Sequence, residues 1–220
     1  MLVKICGLSN VIDARTAVEC GADALGFVMG GKVIPVEVEP YAQQVRLWIN
    51  ELPKTADTYI VTHHMDIDDI LSLAEYVNAS GIQVSEPLTA EQLKALRQRT
   101  KKKIIKTVHV EGAHSIEYLK QVEPFCDYIL LDSVSAGYIG GTGKPNDWNL
   151  CADFVKAAEK PVFIAGGLTL DNLSGAMRTT SPQGVDVSTG VSTWSPEYLR
   201  KDRKDPHAIK TFIQRAKSGK

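Results

Sequence analysis

The sequence predicts an α/β fold, a single-domain (β/α)8 TIM barrel occupying residues 1–220. Two patterns carry that prediction. Short apolar runs alternate with stretches of helical periodicity, eight pairs in 220 residues with brief connections throughout. Strand–helix units of this length give parallel strands with right-handed crossovers, and eight of them argue for a closed barrel over an open doubly wound sheet. The second pattern is negative. No Gly-x-Gly-x-x-Gly follows the first run, so the dinucleotide-binding kind of open sheet lacks its fingerprint.

Leu2–Cys6 is the first expected strand. Val11–Gly21 follows as a helix, apolar at Val11, Ala14, Ala17 and Val18 and closed by a glycine suited to the position past a helix end. Asp23–Val28 is the next strand, and Tyr41, Val45, Trp48 and Ile49 mark the second helix. Thr58–Thr62, with a helix through Ile67, Ile70, Leu71, Ala74 and Val77, makes the third pair. The fourth is Gly81–Val84 with a helix over Thr89–Arg99, capped by Thr89. Lys103–Val110 alternates as a strand and Ser115–Val122 is a short helix. Asp127–Leu131 is apolar enough for a buried strand, and the next helix starts at Asp147 with Trp148, Cys151, Phe154 and Val155 on one side. Pro161–Ala165 with a helix from Asp171 is the seventh pair. Gly184–Val187 with a last helix through Ile209, Phe212, Ile213 and Ala216 is the eighth. The polar run Ser195–Pro206 reads as irregular, placed after the eighth strand where the ligand loops of a barrel gather.

Composition narrows the function classes. Lys and Arg number 25 against 26 Asp and Glu, a net charge of −1, which points away from nucleic acid and from anionic membranes. The cluster Arg97, Arg99 and Lys101-Lys102-Lys103 reads as the solvated end of a helix. No stretch is long and apolar enough for a membrane span, and the N-terminus enters a strand rather than a signal segment. Cys6, Cys20, Cys126 and Cys151 have no metal-type spacing and are expected to be free thiols in a reducing cytoplasm.

Three glycine-containing stretches organise the second half: Gly140-Gly141-Thr142-Gly143-Lys144, Ile164-Ala165-Gly166-Gly167-Leu168, and Val185-Asp186-Val187-Ser188-Thr189-Gly190. In the last two an apolar run stops at small residues and a helix-like segment follows. A parallel strand offers bare backbone N–H groups to an anion in that way. Two such turns on neighbouring βα loops suggest one shared phosphate, although glycines also serve merely to turn a chain.

Reactive groups in a barrel sit at the carboxyl ends of strands. Cys6 ends the first strand and Asp132 the sixth, so a thiolate and a carboxylic acid would face a small substrate from nearly opposite sides. The thiol needs its pKa lowered to act as a base, and the phosphate-binding dipoles are not obviously placed to do so. The plainer alternatives are a buried small hydrophobe at Cys6 and a loop organiser at Asp132. Lys4, His63, His64, His109 and Asp186 are the other polar strand-end residues. A metal held by the histidines with Asp132 is the weaker reading, because adjacent strand residues point opposite ways.

The motifs taken together closely resemble the phosphoribosylanthranilate isomerase family. The match begins at Val3-Lys4-Ile5-Cys6-Gly7-Leu8 and Gly21-Ala22-Asp23-Ala24-Leu25-Gly26-Phe27-Val28. It continues through Leu130-Leu131-Asp132-Ser133, Gly140–Lys144 with Asp147-Trp148, Gly166-Gly167-Leu168 and Val185–Gly190. The resemblance implies an Amadori rearrangement in tryptophan biosynthesis, with no cofactor and no metal, acting on a small-molecule phosphosugar. It places the general acid on Asp132, protonating the ribose ring oxygen, and the general base on Cys6, removing the C2 proton of the resulting iminium. Asp186 would hold sugar hydroxyl or amine groups, and Gly166, Gly167, Ser188, Thr189 and Gly190 would hold the phosphate. For Asp132 to act as an acid at neutral pH, burial is expected to raise its pKa.

The departures from that family lie together. Its arginine for the anthranilate carboxylate falls on Pro35, within Gly30-Gly31-Lys32-Val33-Ile34-Pro35-Val36. Val61-Thr62-His63-His64 and Gln83-Val84-Ser85-Glu86 replace two further family runs. Loss of a bidentate clamp costs about 2–3 kcal/mol of binding unless another cation substitutes. Lys4, Asp186, Lys32 and His64 are therefore the candidate substrate-binding residues. Three readings stay open: the ordinary isomerase, a paralogue acting on another phosphoribosylamine or phosphosugar, and a non-catalytic phosphosugar-binding protein. Retention of both Cys6 and Asp132 speaks against the last.

Overall fold

A computed structural model describes residues 1–29, 40–112, 115–132, 134–135, 138–139, 147–195 and 200–219. The strands of the barrel are β1 (Leu2–Ile5), β2 (Ala24–Met29), β3 (Asp57–Thr62), β4 (Gly81–Val84), β5 (Lys103–His109) and β6 (Tyr128–Asp132). Two short strands, β7 (Val134–Ser135) and β8 (Tyr138–Ile139), pair antiparallel outside it, and β9 (Val162–Ile164) and β10 (Gly184–Val187) complete the ring. The helices are α1 (Val11–Glu19), α2 (Pro40–Glu51), α3 (Ile67–Val77), α4 (Ala90–Arg99), α5 (Ser115–Val122), α6 (Trp148–Ala157), α7 (Leu173–Thr180) and α8 (Pro206–Ser218). The ring closes in the order β1-β2-β3-β4-β5-β6-β9-β10, every neighbour parallel, with β10 returning to β1.

Side-chain caps start the helices, at Thr89 and Asp147 where the sequence suggested and at Asp66 and Asp205 as well. Thr89 and Gln92 form a reciprocal capping box on α4, and Asp66, Asp147 and Asp205 each accept two backbone N–H groups at the starts of α3, α6 and α8. Glu19 ends α1, Cys20 caps it, and Gly21 follows at φ +92°, the position past the helix end expected of it. One expectation shifts. The run after β10 is not irregular. β11 (Ser192–Ser195) and β12 (Arg200–Lys204) pair antiparallel with a register break between Thr193 and Ser195. This pairing joins partners five to twelve residues apart and leaves little trace in a polar sequence of low periodicity.

Strand alternation sorts the apolar residues into two cores. Outward-facing Val3, Ile5, Leu25, Phe27, Ile60, Ile82, Ile104, Val108, Ile129, Leu131, Val162, Ile164, Val185 and Val187 meet the apolar faces of the helices. Inward-facing Ala24, Tyr59, Ile105, Leu130, Phe163 and Ala165 fill the barrel itself. That interior is packed large against absent: a Cβ on Gly81 would fall 2.2 Å from the Tyr59 ring, and one on Gly184 would fall 2.4 Å from the Phe163 ring. The floor on which the site stands is thus set by two rings and two glycines. Among the described residues no helix is long and apolar enough to cross a membrane.

Gly184→Ala is expected to destabilise the protein by about 1–3 kcal/mol through overpacking, read as a lower urea midpoint, and Phe163→Leu in the same chain is expected to recover part of that loss.

Candidate active site

The same alternation decides which side chains the mouth of the barrel sees. At the carboxyl ends of the strands a cavity of about 310 Å³ is lined by Cys6, Asp132, Asp186 and Ser188, with Gly166, Gly167 and Thr189 from the loops, and with Val28, His63, Gln83, Ser85 and His109 on the remaining wall. Cys6 lies just past β1, where its N–H still donates to the Val187 carbonyl at 2.9 Å, and it is 7 % exposed. Asp132 is the last residue of β6 and is half-buried. The thiol and the carboxyl therefore share one cavity.

Beneath the thiol lies a buried ion pair. Lys4 is fully buried, and its Nζ donates to Asp186 Oδ1 at 3.0 Å across the β1–β10 register. Burial works to lower the Lys4 pKa, but Asp186 and Cys6 outweigh it, and the ammonium ends above the ordinary lysine range. For Cys6, burial is the largest influence and pushes the thiol up. Lys4 and Lys204 pull it back, while Asp186 adds to the rise. The cations beside the thiol do not prevent its rise, but they oppose it. Gly26 makes the arrangement fit, since a Cβ there would lie 2.8 Å from both Cys6 Sγ and Lys4 Nζ.

Beside β1 in the ring the β9 and β10 loops meet. Gly166 and Gly167 have φ of +81° and +70°, and a Cβ on Gly190 would fall 1.9 Å from the Leu168 carbonyl oxygen, so only glycine lets the loops touch. Asn172 braces the first turn, donating from Nδ2 to the Gly167 carbonyl at 2.9 Å and accepting the Thr169 N–H at 2.8 Å. Lys204 braces the second, donating from Nζ to the Ser188 carbonyl and to Ser192 Oγ, each at 3.1 Å.

The remaining wall is built from β3, β4 and β5. His63 Nδ1 lies 2.9 Å from Glu86 Oε1, and the Glu86 carbonyl accepts from the buried Lys106 ammonium at 2.8 Å. Lys106 also donates to the carbonyls of Val84 and Thr107, while burial draws its pKa down to about 7. Burial and the Lys106 charge lower the His109 pKa, and with the ring neutral its Nε2–H donates to the Ser85 carbonyl at 3.2 Å. That tautomer leaves His109 Nδ1 as an acceptor. It and Gln83 Oε1 are buried without a hydrogen-bond partner among the described residues.

The expected site residues thus fall in four groups. Cys6, Asp132, Asp186, Gly166, Gly167, Ser188 and Thr189 meet at one cavity. Lys4 lies below its wall, paired with Asp186, and Gly190 sits behind Thr189 against Leu168. His64 is not on that wall. Val61 and His63 face the cavity, so parity turns His64 outward, where its Nδ1 is 3.8 Å from Asp69 and its N–H donates to Thr62 Oγ1. Lys32, Pro35 and Gly140–Lys144 lie outside the described residues. Sequence reasoning missed Asn172 and Lys204. The Asn172 signal is a side-chain amide three residues after Thr169, an ordinary helix-start pattern, and Lys204 hides in a polar run. Among the described residues no group of three or more His, Cys, Asp and Glu side chains is placed to hold a metal ion.

Comparison with known proteins agrees across the whole chain. The family model of N-(5'-phosphoribosyl)anthranilate (PRA) isomerase matches residues 3–215. The N-(5'-phosphoribosyl)anthranilate isomerase of Methanothrix thermoacetophila is 31% identical over 221 residues, covering 98% of each chain. That of Desulforudis audaxviator is 35% identical over 217 residues, again 98% of each. The crystal structure of phosphoribosyl anthranilate isomerase from Thermotoga maritima superposes with a TM-score of 0.82 at 30% identity, covering 99% of both chains. A phosphoribosyl anthranilate isomerase in complex with reduced 1-(o-carboxyphenylamino)-1-deoxyribulose 5-phosphate superposes with a TM-score of 0.77 at 30% identity, covering 99% of this chain and 100% of that one.

Gly26→Ala is expected to push the thiol off its seat beside Lys4. Alkylation of Cys6 by iodoacetamide, followed by mass spectrometry, should slow roughly tenfold while the far-UV spectrum is unchanged.

Proposed function

The chain belongs to the N-(5'-phosphoribosyl)anthranilate isomerase family, and from that premise we propose that Cys6 and Asp132 carry out the family's rearrangement in the cavity they share. The observation that carries this is the convergence of thiol, carboxyl and glycine loops on one space of a few hundred cubic ångströms. The substrate is an N-linked phosphoribosylamine, and the reaction, a step of tryptophan biosynthesis, yields a 1-amino-1-deoxyketose phosphate.

The phosphate sits between the Gly166-Gly167 turn and the Ser188–Gly190 turn, held by main-chain N–H groups at the carboxyl ends of β9 and β10. This anchors the sugar with its far end toward β3–β5. Asp132 donates its proton to the ribose ring oxygen, the C1–O bond breaks, and the amine lone pair forms the iminium. Cys6 as thiolate then removes the C2 proton, and the electron pair of that C–H bond neutralises the iminium to give the enolamine. Transfer of the enol proton to C1 gives the ketose. Asp186 lies within the same cavity and holds the sugar hydroxyls, its charge steadied by Lys4.

The aromatic end meets His63, Gln83, Ser85 and His109. Lys32 is assigned the carboxylate of the anthranilate in place of the family's arginine, as a point charge rather than a fork. The closed ring of strands supports reading residues 1–220 as one domain, and the four free cysteines fit a reducing, cytoplasmic setting.

Growth of a tryptophan-requiring strain that lacks the isomerase tests the reading directly, and the wild-type chain is expected to restore it. Absence of growth, together with turnover of another phosphoribosylamine, would move the assignment to a paralogous substrate. In the purified protein, Asp132→Asn and Cys6→Ser are each expected to lower kcat by about 10²–10⁴-fold, with far smaller changes in phosphate affinity. Because the thiol acts as a base, kcat/KM is expected to rise with pH as Cys6 deprotonates. Normal turnover by Asp132→Asn would sink the acid assignment.

A further inference from the structure

Lys204 is a buried charge to which the reaction assigns no task. It ends β12, is 5 % exposed, and lies behind the cavity wall. Its Nζ donates to the Ser188 carbonyl at 3.1 Å, to Ser188 Oγ at 3.4 Å and to Ser192 Oγ at 3.1 Å. The same carbonyl also accepts from Ser192 Oγ at 3.1 Å and from the Val191 N–H at 3.3 Å. In a trans peptide the C=O and the next N–H point opposite ways. Turning the Ser188 carbonyl back to Lys204 therefore turns the Thr189 N–H away from it, and Thr189 is on the cavity wall.

The lysine is itself fixed from behind. Its main-chain N–H donates to Asp13 Oδ2 at 2.9 Å, and the Arg203 guanidinium reaches the same carboxylate at 3.2 and 3.3 Å. Asp13 is 2 % exposed on α1, so the brace runs from a helix through β12 to the turn. On the other side Nζ packs beside Gly7, where a Cβ would lie 3.6 Å away. Gly7 follows Cys6 directly. Burial lowers the Lys204 pKa; Cys6 at the end of β1, Asp186 from β10 and Asp13 from α1 oppose that fall, and Lys4 from β1 adds to it.

We propose that Lys204 is a positioning residue shared by the phosphate and the thiol: its ammonium locks the Ser188 peptide so that the Thr189 N–H faces the anion, and it supplies a fixed positive charge to both from behind the wall. The proposal rests on the assignment of the phosphate turn and the thiol base above. It deepens that assignment by linking two ends of the substrate through one cation.

Lys204→Met tests it. Two quantities are read on the folded protein without turnover: the Kd of inorganic phosphate by calorimetry, and the pH profile of Cys6 alkylation by iodoacetamide. Phosphate is expected to bind about tenfold more weakly, and the alkylation profile to move to higher pH by about half a unit or more. With phosphoribosylanthranilate the KM should rise more than kcat falls, a split that loss of stability alone does not produce. A lowered melting temperature with either wild-type value retained overturns the proposal and leaves Lys204 a structural residue. If Lys204→Met does not fold, Ser192→Ala removes one anchor of the ammonium, together with the serine's own bond to the Ser188 carbonyl, and no charge. Phosphate should then bind about threefold more weakly with the alkylation profile unmoved, and wild-type phosphate affinity overturns the proposal. Failure of the wild-type chain to isomerise phosphoribosylanthranilate would count against the isomerase reading alone, because both measurements stand without it. Failure of the wild-type chain to bind phosphate overturns the Lys204 proposal outright.

Discussion

The pairing of Lys4 with Asp186 is the constraint on which the site depends. It bridges β1 and β10, the seam at which the parallel ring closes, with the ammonium fully buried and the carboxylate nearly so. Removing two ions from water is costly, and an apolar pair of the same volume would often hold such a seam as well. What an apolar pair cannot supply is a cation against the Cys6 thiol together with a carboxylate on the cavity wall. The pair places both while remaining neutral overall. Gly26 completes the arrangement by leaving the neighbouring strand bare where thiol and ammonium need space.

Much of this was legible from residue order. Short apolar runs separated by segments of helical periodicity announced the ring, and β6 ending at Asp132 followed from its apolar stretch meeting a polar residue. Parity was the weak point. Both His63 and His64 follow β3, and choosing between them requires knowing that Val61 points inward, which depends on how Tyr59 packs over Gly81 two residues earlier. Lys4 read as a strand-end ligand because nothing in a sequence shows that its partner arrives from residue 186. Lys204 was hidden for a related reason. Within Arg200–Lys204 it resembles any solvated charge, and only antiparallel pairing with β11 turns it inward while Arg203 stays half-exposed.

The two ends of the cavity are made of different material. The end given to phosphate is main chain, shaped by glycines whose backbone conformations and close contacts exclude other residues. The end given to the aromatic group is side chain: an imidazole held by Glu86, another held by the Ser85 carbonyl, and a glutamine with a spare oxygen. Main-chain recognition of this kind ties the anion end to its glycines, whereas a side-chain wall is redrawn by single changes. A motif-based comparison therefore reads the anion end well and the aromatic end poorly.

The span of that seam also orders events during translation. The Lys4 ammonium leaves the ribosome 182 residues ahead of its carboxylate. Until β10 docks, the nascent barrel holds an unfinished floor beneath Cys6 and only part of its anion cradle. A polypeptide released before that strand, however well its earlier units have condensed, carries the thiol but not the partner that closes the ring beneath it.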